Sequence, residues 1–307
     1  MKIVKVFAPA TVANVGCGFD AMGFAFSGMG DIIEMWFNNT DTIEYIFDES
    51  INLPKDIEKN LMTHALRAIM DASTGRRGVT IKLIQKISPG SGIGSSAASA
   101  CSAVYAYNIL ADLGYTDEEL IPFALEGECM ASGAKHADNV APCMLGGIVL
   151  VRDYHPLDVV RIYPHIKLYC AIVHPDIEVK TIESRAVLKP EIPMPVAVRQ
   201  WANLGSFVAA LYNGDAALLG RALQDYVAEP YRKQFIPGYD ELKLAIMKNG
   251  AIGTNISGSG PSVFAIAESQ ATAIKIAYAM RCHFEGLGIE CKTYASEICH
   301  EGTHLMM

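Results

Sequence analysis

Along the first half of the chain, apolar and polar positions alternate in short stretches, then recur at helical spacing. Lys2-Ile3-Val4-Lys5-Val6-Phe7 and Val79-Thr80-Ile81-Lys82-Leu83 alternate as half-buried strands do. Strands are predicted over 2–8, 31–37, 42–47 and 79–85, and Gly146 to Val151 reads as a buried strand. Leu61, Ala65, Leu66 and Ile69 fall on one face of a helix over 60–72. A helix rich in small residues runs from Ser95 to Leu113, and another covers 117–130. The pattern loosens at His155-Pro156 and Tyr163-Pro164, where a domain boundary is expected, giving units 1–160 and 161–307. The second half predicts a strand at 167–174 and helices at 180–188, 196–212, 215–225 and 239–249. Strands at 251–257 and 262–267, a helix at 269–286 and a strand at 291–296 complete it. That order suits an α+β sandwich with helices on one face.

Composition narrows the function classes. Apolar residues make up 51% of the chain and charged ones 19%, which excludes disorder as the main state. The net charge is −8 and no run of Lys and Arg occurs, so a nucleic-acid surface is not expected, although one buried anion site needs only a few local donors. The N-terminus lacks signal-peptide anatomy, and no stretch reaches the roughly 18 apolar residues that span a bilayer. A cytoplasmic protein with no membrane partner is expected. Eight scattered cysteines without a C-x-x-C pair read as free thiols.

The most informative stretch is Pro89-Gly90-Ser91-Gly92-Ile93-Gly94-Ser95-Ser96-Ala97-Ala98-Ser99. Three alternating glycines follow a strand and open a helix. Glycine lets backbone N–H groups converge and lets an anion approach, and the helix start adds unpaired N–H groups and a positive dipole end. Ser95 and Ser96 are candidates to cap the helix or to offer a hydroxyl to a metal ion. Taken alone, the stretch is also compatible with a plain glycine turn. No Lys follows the last glycine, so it is not a Walker A loop, and the third glycine comes one position early for a dinucleotide fingerprint.

Read whole, this stretch resembles the second motif of the GHMP kinases, with Ile93 in place of the usual Leu. Ala8-Pro9-Ala10-Thr11-Val12-Ala13-Asn14-Val15-Gly16-Cys17-Gly18-Phe19-Asp20 is similar to their first motif. Gly253-Thr254-Asn255-Ile256-Ser257-Gly258-Ser259-Gly260-Pro261-Ser262 is similar to their third. The resemblance covers essentially the whole chain. It implies two α+β domains, a ribosomal-protein-like N-terminal one and a ferredoxin-like C-terminal one, and a homodimer. It also implies transfer of the terminal phosphate of ATP to a small metabolite, with Mg²⁺ held by Ser96 and Glu128. The ATP site would comprise Asn60, Pro89, Gly90, Ser91, Gly92, Ile93, Gly94, Ser95 and Ser96, with Thr181 near the γ-phosphate. With no Walker lysine, backbone dipoles and the metal are expected to meet the phosphate charge. Glu126 is the fallback ligand, and an N-cap explains Asn60 equally well.

The acceptor depends on other residues. Ser132-Gly133-Ala134-Lys135-His136-Ala137-Asp138-Asn139, Thr181-Ile182-Glu183-Ser184-Arg185 and Glu229-Pro230-Tyr231-Arg232 resemble the branch of the superfamily that phosphorylates L-homoserine, a step toward threonine. By that resemblance His136 and Gly258 line the acceptor pocket and Asn139 lies near the acceptor hydroxyl. An amino-acid acceptor carries an ammonium and a carboxylate. Arg185 and Arg232 suit the carboxylate, while Asp20 and Asn14 suit the ammonium. Each arginine also has a plain reading as a solvated surface residue. Asp138 is a candidate base, but direct attack by the hydroxyl is expected. The alternatives are a mevalonate or sugar kinase of the same superfamily and a non-catalytic ATP and metabolite sensor.

Overall fold

The computed structural model describes residues 2–48, 51, 56–73, 77–132 and 136–306. The first sheet is built on one long strand. β1 (Val4–Ala13) runs antiparallel to β2 (Met22–Phe37), with Val4 opposite Met35 and Ala13 opposite Gly23. β4 (Val79–Gln85) pairs with the C-terminal half of β2, and β3 (Ile43–Ile46) lies parallel to β4. β5 (Ile148–Tyr154) takes the first residues of β2 and forms a hairpin with β6 (Leu157–Ile162). The short β11 (His304–Leu305) returns from the end of the chain to pair with β1. Four helices cover this sheet: α1 (Leu61–Asp71), α2 (Ser95–Ala111), α3 (Asp117–Ser132) and α4 (Ala137–Leu145). α2 is buried nearly all round, which its Ala and Ser side chains permit because they let β1, β2, α1, α3 and α4 approach closely.

The second sheet has the order β10-β7-β9-β8, formed by β7 (Tyr169–Pro175), β8 (Gly253–Ile256), β9 (Val263–Ala267) and β10 (Cys291–Glu297). Between β7 and β8 come α5 (Thr181–Ala186), α6 (Met194–Asn213), α7 (Ala216–Ala222), α8 (Glu229–Arg232) and α9 (Tyr239–Lys248). α10 (Gln270–Gly286) joins β9 to β10. This is the expected ferredoxin-like β-α-β-β-α-β order. Strand alternation splits the sheet cleanly. Ala171, Val173, Val263 and Ala265 face α9 and α10, whereas Ile172, Phe264 and Ile266 join the core of the first sheet. Phe24 and Phe264 meet edge to face at 5.7 Å, so both sheets share one apolar core.

Several boundaries differ from the pattern reading. β1 continues to Ala13 and β2 begins at Met22, because a register shift at Pro9/Ala10 absorbs the proline that breaks the alternation. Ala137–Leu145, to which the pattern reading assigns no element, is α4; its Pro142 lies inside the helix and hides the helical pattern. The expected boundary at 160 falls within β6, whose residues pair with β5 in the first sheet. Among the described residues no helix is long and apolar enough to cross a membrane.

Candidate active site

The three motifs converge. Gly90, Gly92 and Gly94 all adopt left-handed backbone, with φ of 73°, 71° and 73°. Gly94 is the N-cap of α2 and supplies no side-chain cap. Of the two readings open for Ser95 and Ser96, the helix cap is not formed: both are already helical, and the first N–H groups of α2 stay available to an anion. Two carbonyls of the loop are held from the side of the third motif. Ser257 Oγ donates to Gly92 O at 2.7 Å, and Ser262 Oγ donates to Ser91 O. In a trans peptide the N–H points opposite to the carbonyl, so the N–H groups of Gly92 and Ile93 turn away from that motif. Ser91 Oγ is buried with no protein partner. The Ile93 side chain belongs to the core and does not line the site; its carbonyl accepts from Thr11 N at 3.1 Å.

At the start of α2, Ser96 Oγ donates to Glu128 Oε2 at 2.5 Å. Glu128 is buried on α3, while Glu126, two residues earlier and on the opposite side of the helix, lines a different cavity with Arg152 and His155. Gly127 brings α3 close: a Cβ there would stand 2.7 Å from Leu61 O and 3.2 Å from Ala100 Cβ. His136 Nδ1 is 3.8 Å from Glu128 Oε1, and this carboxylate raises the imidazole above its usual pKa. Arg185 opposes that shift. Its Nη2 donates to His136 Nε2 at 2.7 Å and to Asp20 Oδ1 at 2.9 Å. A guanidinium only donates, so the imidazole proton in this arrangement sits on Nδ1. Gly133, Ala134 and Lys135 of the acceptor motif lie outside the described residues.

Asn14, Val15 and Asp20 have φ of 71°, 40° and 56°. A left-handed β-branched valine is strained, at a cost of about 1–3 kcal/mol, in the turn that presents Asp20. The Asn14 amide is used at both ends: Oδ1 accepts from Asp20 N at 3.0 Å and Nδ2 donates to Gly258 O at 2.9 Å. Gly258 O also accepts from Arg232 Nη1 at 2.6 Å, and Ser184 O accepts from Arg232 Nε at 3.3 Å. Arg232 is thus not a solvated surface residue but a buried one, and burial lowers its pKa. Asp138 is fully buried, its Oδ1 has no hydrogen-bond partner, and burial pushes its pKa up to about 7. Asn139 Oδ1 accepts from Thr11 Oγ1 at 2.8 Å.

Asn14, Asp20, Glu128, His136, Asn139 and Thr181 line one cavity of about 500 Å³ together with Arg185, Arg232 and Gly258. The same cavity takes in Pro89, the loop glycines and Ser91, Ser95 and Ser96. Asn60 caps α1 through Met62 N at 3.0 Å, yet its buried Nδ2 has no partner; Lys59 and Leu61 on either side line the cavity. Three residues were not foreseen. Thr11 lies under Gly94, where a Cβ would come 2.0 Å from its Oγ1. Lys86 lines the cavity and bonds Ser95 Oγ at 2.6 Å, so a lysine does stand beside the loop, contrary to expectation. Asp31 pairs with it at 3.1 Å.

A glycine loop on a helix start, opening onto a pocket of mixed charge, suits an enzyme that holds a phosphorylated co-substrate beside a small charged molecule, and comparison with known proteins makes that class the ATP-dependent small-molecule kinases. The model of the GHMP kinases N terminal domain matches residues 60–147, and that of the GHMP kinases C terminal domain matches residues 207–286. The chain is 41% identical over 319 residues to the homoserine kinase of Chloroherpeton thalassium, with all of both chains covered. It belongs to the GHMP kinases, within their homoserine kinase branch. The crystal structure of homoserine kinase from Cytophaga hutchinsonii superposes with a TM-score of 0.95 at 44% identity, covering 100% of this chain and 98% of that one. The L. major mevalonate kinase in complex with R-mevalonate shares the fold, with a TM-score of 0.74 at 18% identity and 96% of each chain covered.

ATP is the co-substrate of the family, and the residues present fit it. The loop presents N–H groups without side-chain caps, and Ser91 Oγ and Asn60 Nδ2 are buried polar atoms awaiting partners. Among the described residues no three His, Cys, Asp or Glu side chains form a metal cluster. The Ser96–Glu128 pair instead offers the one or two hard oxygens that Mg²⁺ takes from protein when phosphates and water supply the rest.

Proposed function

We propose that the enzyme transfers the γ-phosphoryl group of ATP to the side-chain hydroxyl of L-homoserine, giving ADP and O-phospho-L-homoserine. One observation carries this reading: a single cavity runs from the glycine loop to a cluster in which Asp20 and Arg185 neutralise one another. Homoserine is a zwitterion at its backbone end. Its ammonium replaces Arg185 as the partner of Asp20, and its carboxylate replaces Asp20 as the partner of Arg185 while reaching Arg232. Mevalonate has no ammonium for Asp20, and galactose has no charge at all. A coupled assay of ADP release with Mg²⁺ is expected to give turnover with homoserine and little with mevalonate or galactose. ATP and homoserine binding without ADP formation would make the chain a sensor instead.

Ser96 and Glu128 would hold Mg²⁺, which when bound draws off negative charge from the phosphoryl oxygens. The loop N–H groups hold the phosphates and the Lys86 ammonium adds positive charge at their edge. Thr181, at the start of α5, stands on the cavity wall where the transferred group would pass. Asn139, with Oδ1 engaged by Thr11, keeps Nδ2 to orient the acceptor hydroxyl. An amide takes no proton, so the hydroxyl attacks directly: its oxygen bonds to phosphorus as the bond to ADP breaks, and its proton leaves with the product phosphate. The resemblance also leads us to propose a cytoplasmic homodimer, and exposed Met194, Val198 and Trp201 on α6 offer an apolar surface for pairing.

Asp138 tests the absence of a base. Asp138→Asn is expected to keep kcat within about tenfold of wild type; a loss of ~10³-fold with both substrates still bound would make Asp138 the base. Its pKa is raised by burial to about 7. The folded state therefore holds the proton more tightly than the unfolded one, and stability falls as pH rises from about 4 through about 7. The asparagine variant should accordingly gain in melting temperature over wild type at pH 8, and the gain should shrink toward pH 5. A gain that grows on acidification would contradict the burial argument.

A further inference from the structure

The nucleotide loop, residues 88–94, is tied at both ends to one carboxylate from a distant strand. Asp31 on β2 is 1% exposed. Its Oδ1 accepts from Ile87 N at 2.8 Å, just before the loop, and its Oδ2 accepts from Ser99 Oγ at 2.7 Å, in the helix just after it. Lys86 closes the gap. Its buried ammonium lies 3.1 Å from Asp31 Oδ2, donates to Ser95 O at 3.1 Å and to Ser95 Oγ at 2.6 Å, and Ser95 Oγ donates in turn to Ile87 O at 2.9 Å. Asp31 shares strand parity with the buried Ile33 and Met35, so its side chain faces inward, and β4 ends at Gln85 opposite Ile32, so Lys86 and Ile87 have left the ladder where they meet it.

We infer that Asp31 is a positioning residue for the nucleotide. It closes the base of the loop and holds Lys86 at the edge of the cavity. The inference rests on reading residues 89–96 as the phosphate cradle. Every partner of this carboxylate donates to it, so an asparagine would set its NH₂ against donors and leave the Lys86 ammonium without its counter-charge in a buried site. The cradle would then have to be ordered at the expense of ATP binding. Neither oxygen of Asp31 lines the cavity, so the residue acts through Lys86, Ile87 and Ser99 and not by contact with substrate.

The full-length Asp31→Asn protein, checked for folding by circular dichroism, tests this. Its KM for ATP is expected to rise ~10-fold or more, with the KM for homoserine within about twofold and kcat at saturating ATP within about fivefold of wild type. Ser99→Ala removes one donor only and should raise the KM for ATP by about threefold. An unchanged KM for ATP in folded Asp31→Asn overturns the inference, as does a parallel rise for both substrates, which marks a general structural role. If that variant does not fold, Ser99→Ala decides by the same comparison. Calorimetric ATP binding is measured alongside; a wild type that binds ATP but does not phosphorylate homoserine refutes the acceptor and still leaves the effect of Asp31 on ATP affinity readable.

Discussion

Glu128→Ala is expected to lower kcat by at least ~10³-fold, about 4 kcal/mol of transition-state stabilisation, with the fold intact. The reason is the scarcity of alternatives. Ser96 Oγ and the Glu128 carboxylate form a hard-oxygen pair at the helix start that receives the phosphates, and the lysine nearby is already engaged by Asp31 and Ser95. Removing the carboxylate would take away the negative charge proposed to fix a divalent cation there. Glu128→Gln keeps the shape and a hydrogen-bond acceptor for Ser96, so a comparably large loss in that variant assigns the effect to charge. Glu126→Ala is the internal control: it faces another cavity and should retain activity within about twofold. Initial rates over a Mg²⁺ titration give both readings. Near-normal turnover of folded Glu128→Ala at low millimolar Mg²⁺ would remove this residue from the site.

How far the site could be read in advance depended on whether its geometry is local. The glycine loop was legible because left-handed turns and a helix start leave a local signature in glycine and serine. The preference for Glu128 over Glu126 comes from the family resemblance, and the helical spacing is compatible with it. Ile121, Ala124, Leu125 and Glu128 recur at helical spacing, and all four are buried. α4 was missed because Pro142 masks a helical stretch that tertiary packing stabilises: Gly23 lets β2 lie against the Asp138 carbonyl so closely that a Cβ would come 1.8 Å from it. Lys86 was missed for a different reason. It shares strand parity with the exposed Lys82 and Ile84, which predicts an outward side chain. β4 ends at Gln85, however, and the chain then turns Lys86 inward to meet Asp31. The ion pair of Asp20 with Arg185 joins residues 165 positions apart and could not be read from either segment.

Arg232 carries the second large effect. Arg232→Met is expected to raise the KM for homoserine ~100-fold, about 2.7 kcal/mol, while the KM for ATP moves by less than about threefold. Its guanidinium is buried, with Nε held by Ser184 O and Nη1 by Gly258 O, and it lies 5.2 Å from the Phe19 ring centroid. Two nitrogens fix the plane, which leaves Nη2 for the substrate carboxylate with little side-chain entropy left to lose. Burial disfavours the guanidinium charge and lowers its pKa, while the acidic groups Asp20, Asp225 and Asp138 work against that shift. A lysine cannot reproduce this, because one ammonium cannot hold two backbone carbonyls and present a third donor in the same plane, so Arg232→Lys should recover less than about a tenth of the lost affinity. Arg185 makes the contrast. It is half-exposed and already paired with Asp20, so Arg185→Met removes a screened contact and should cost roughly tenfold in the same KM. If Arg185→Met proves more damaging than Arg232→Met, or if either raises the KM for ATP as much as that for homoserine, the carboxylate of the acceptor is not bound where this geometry puts it.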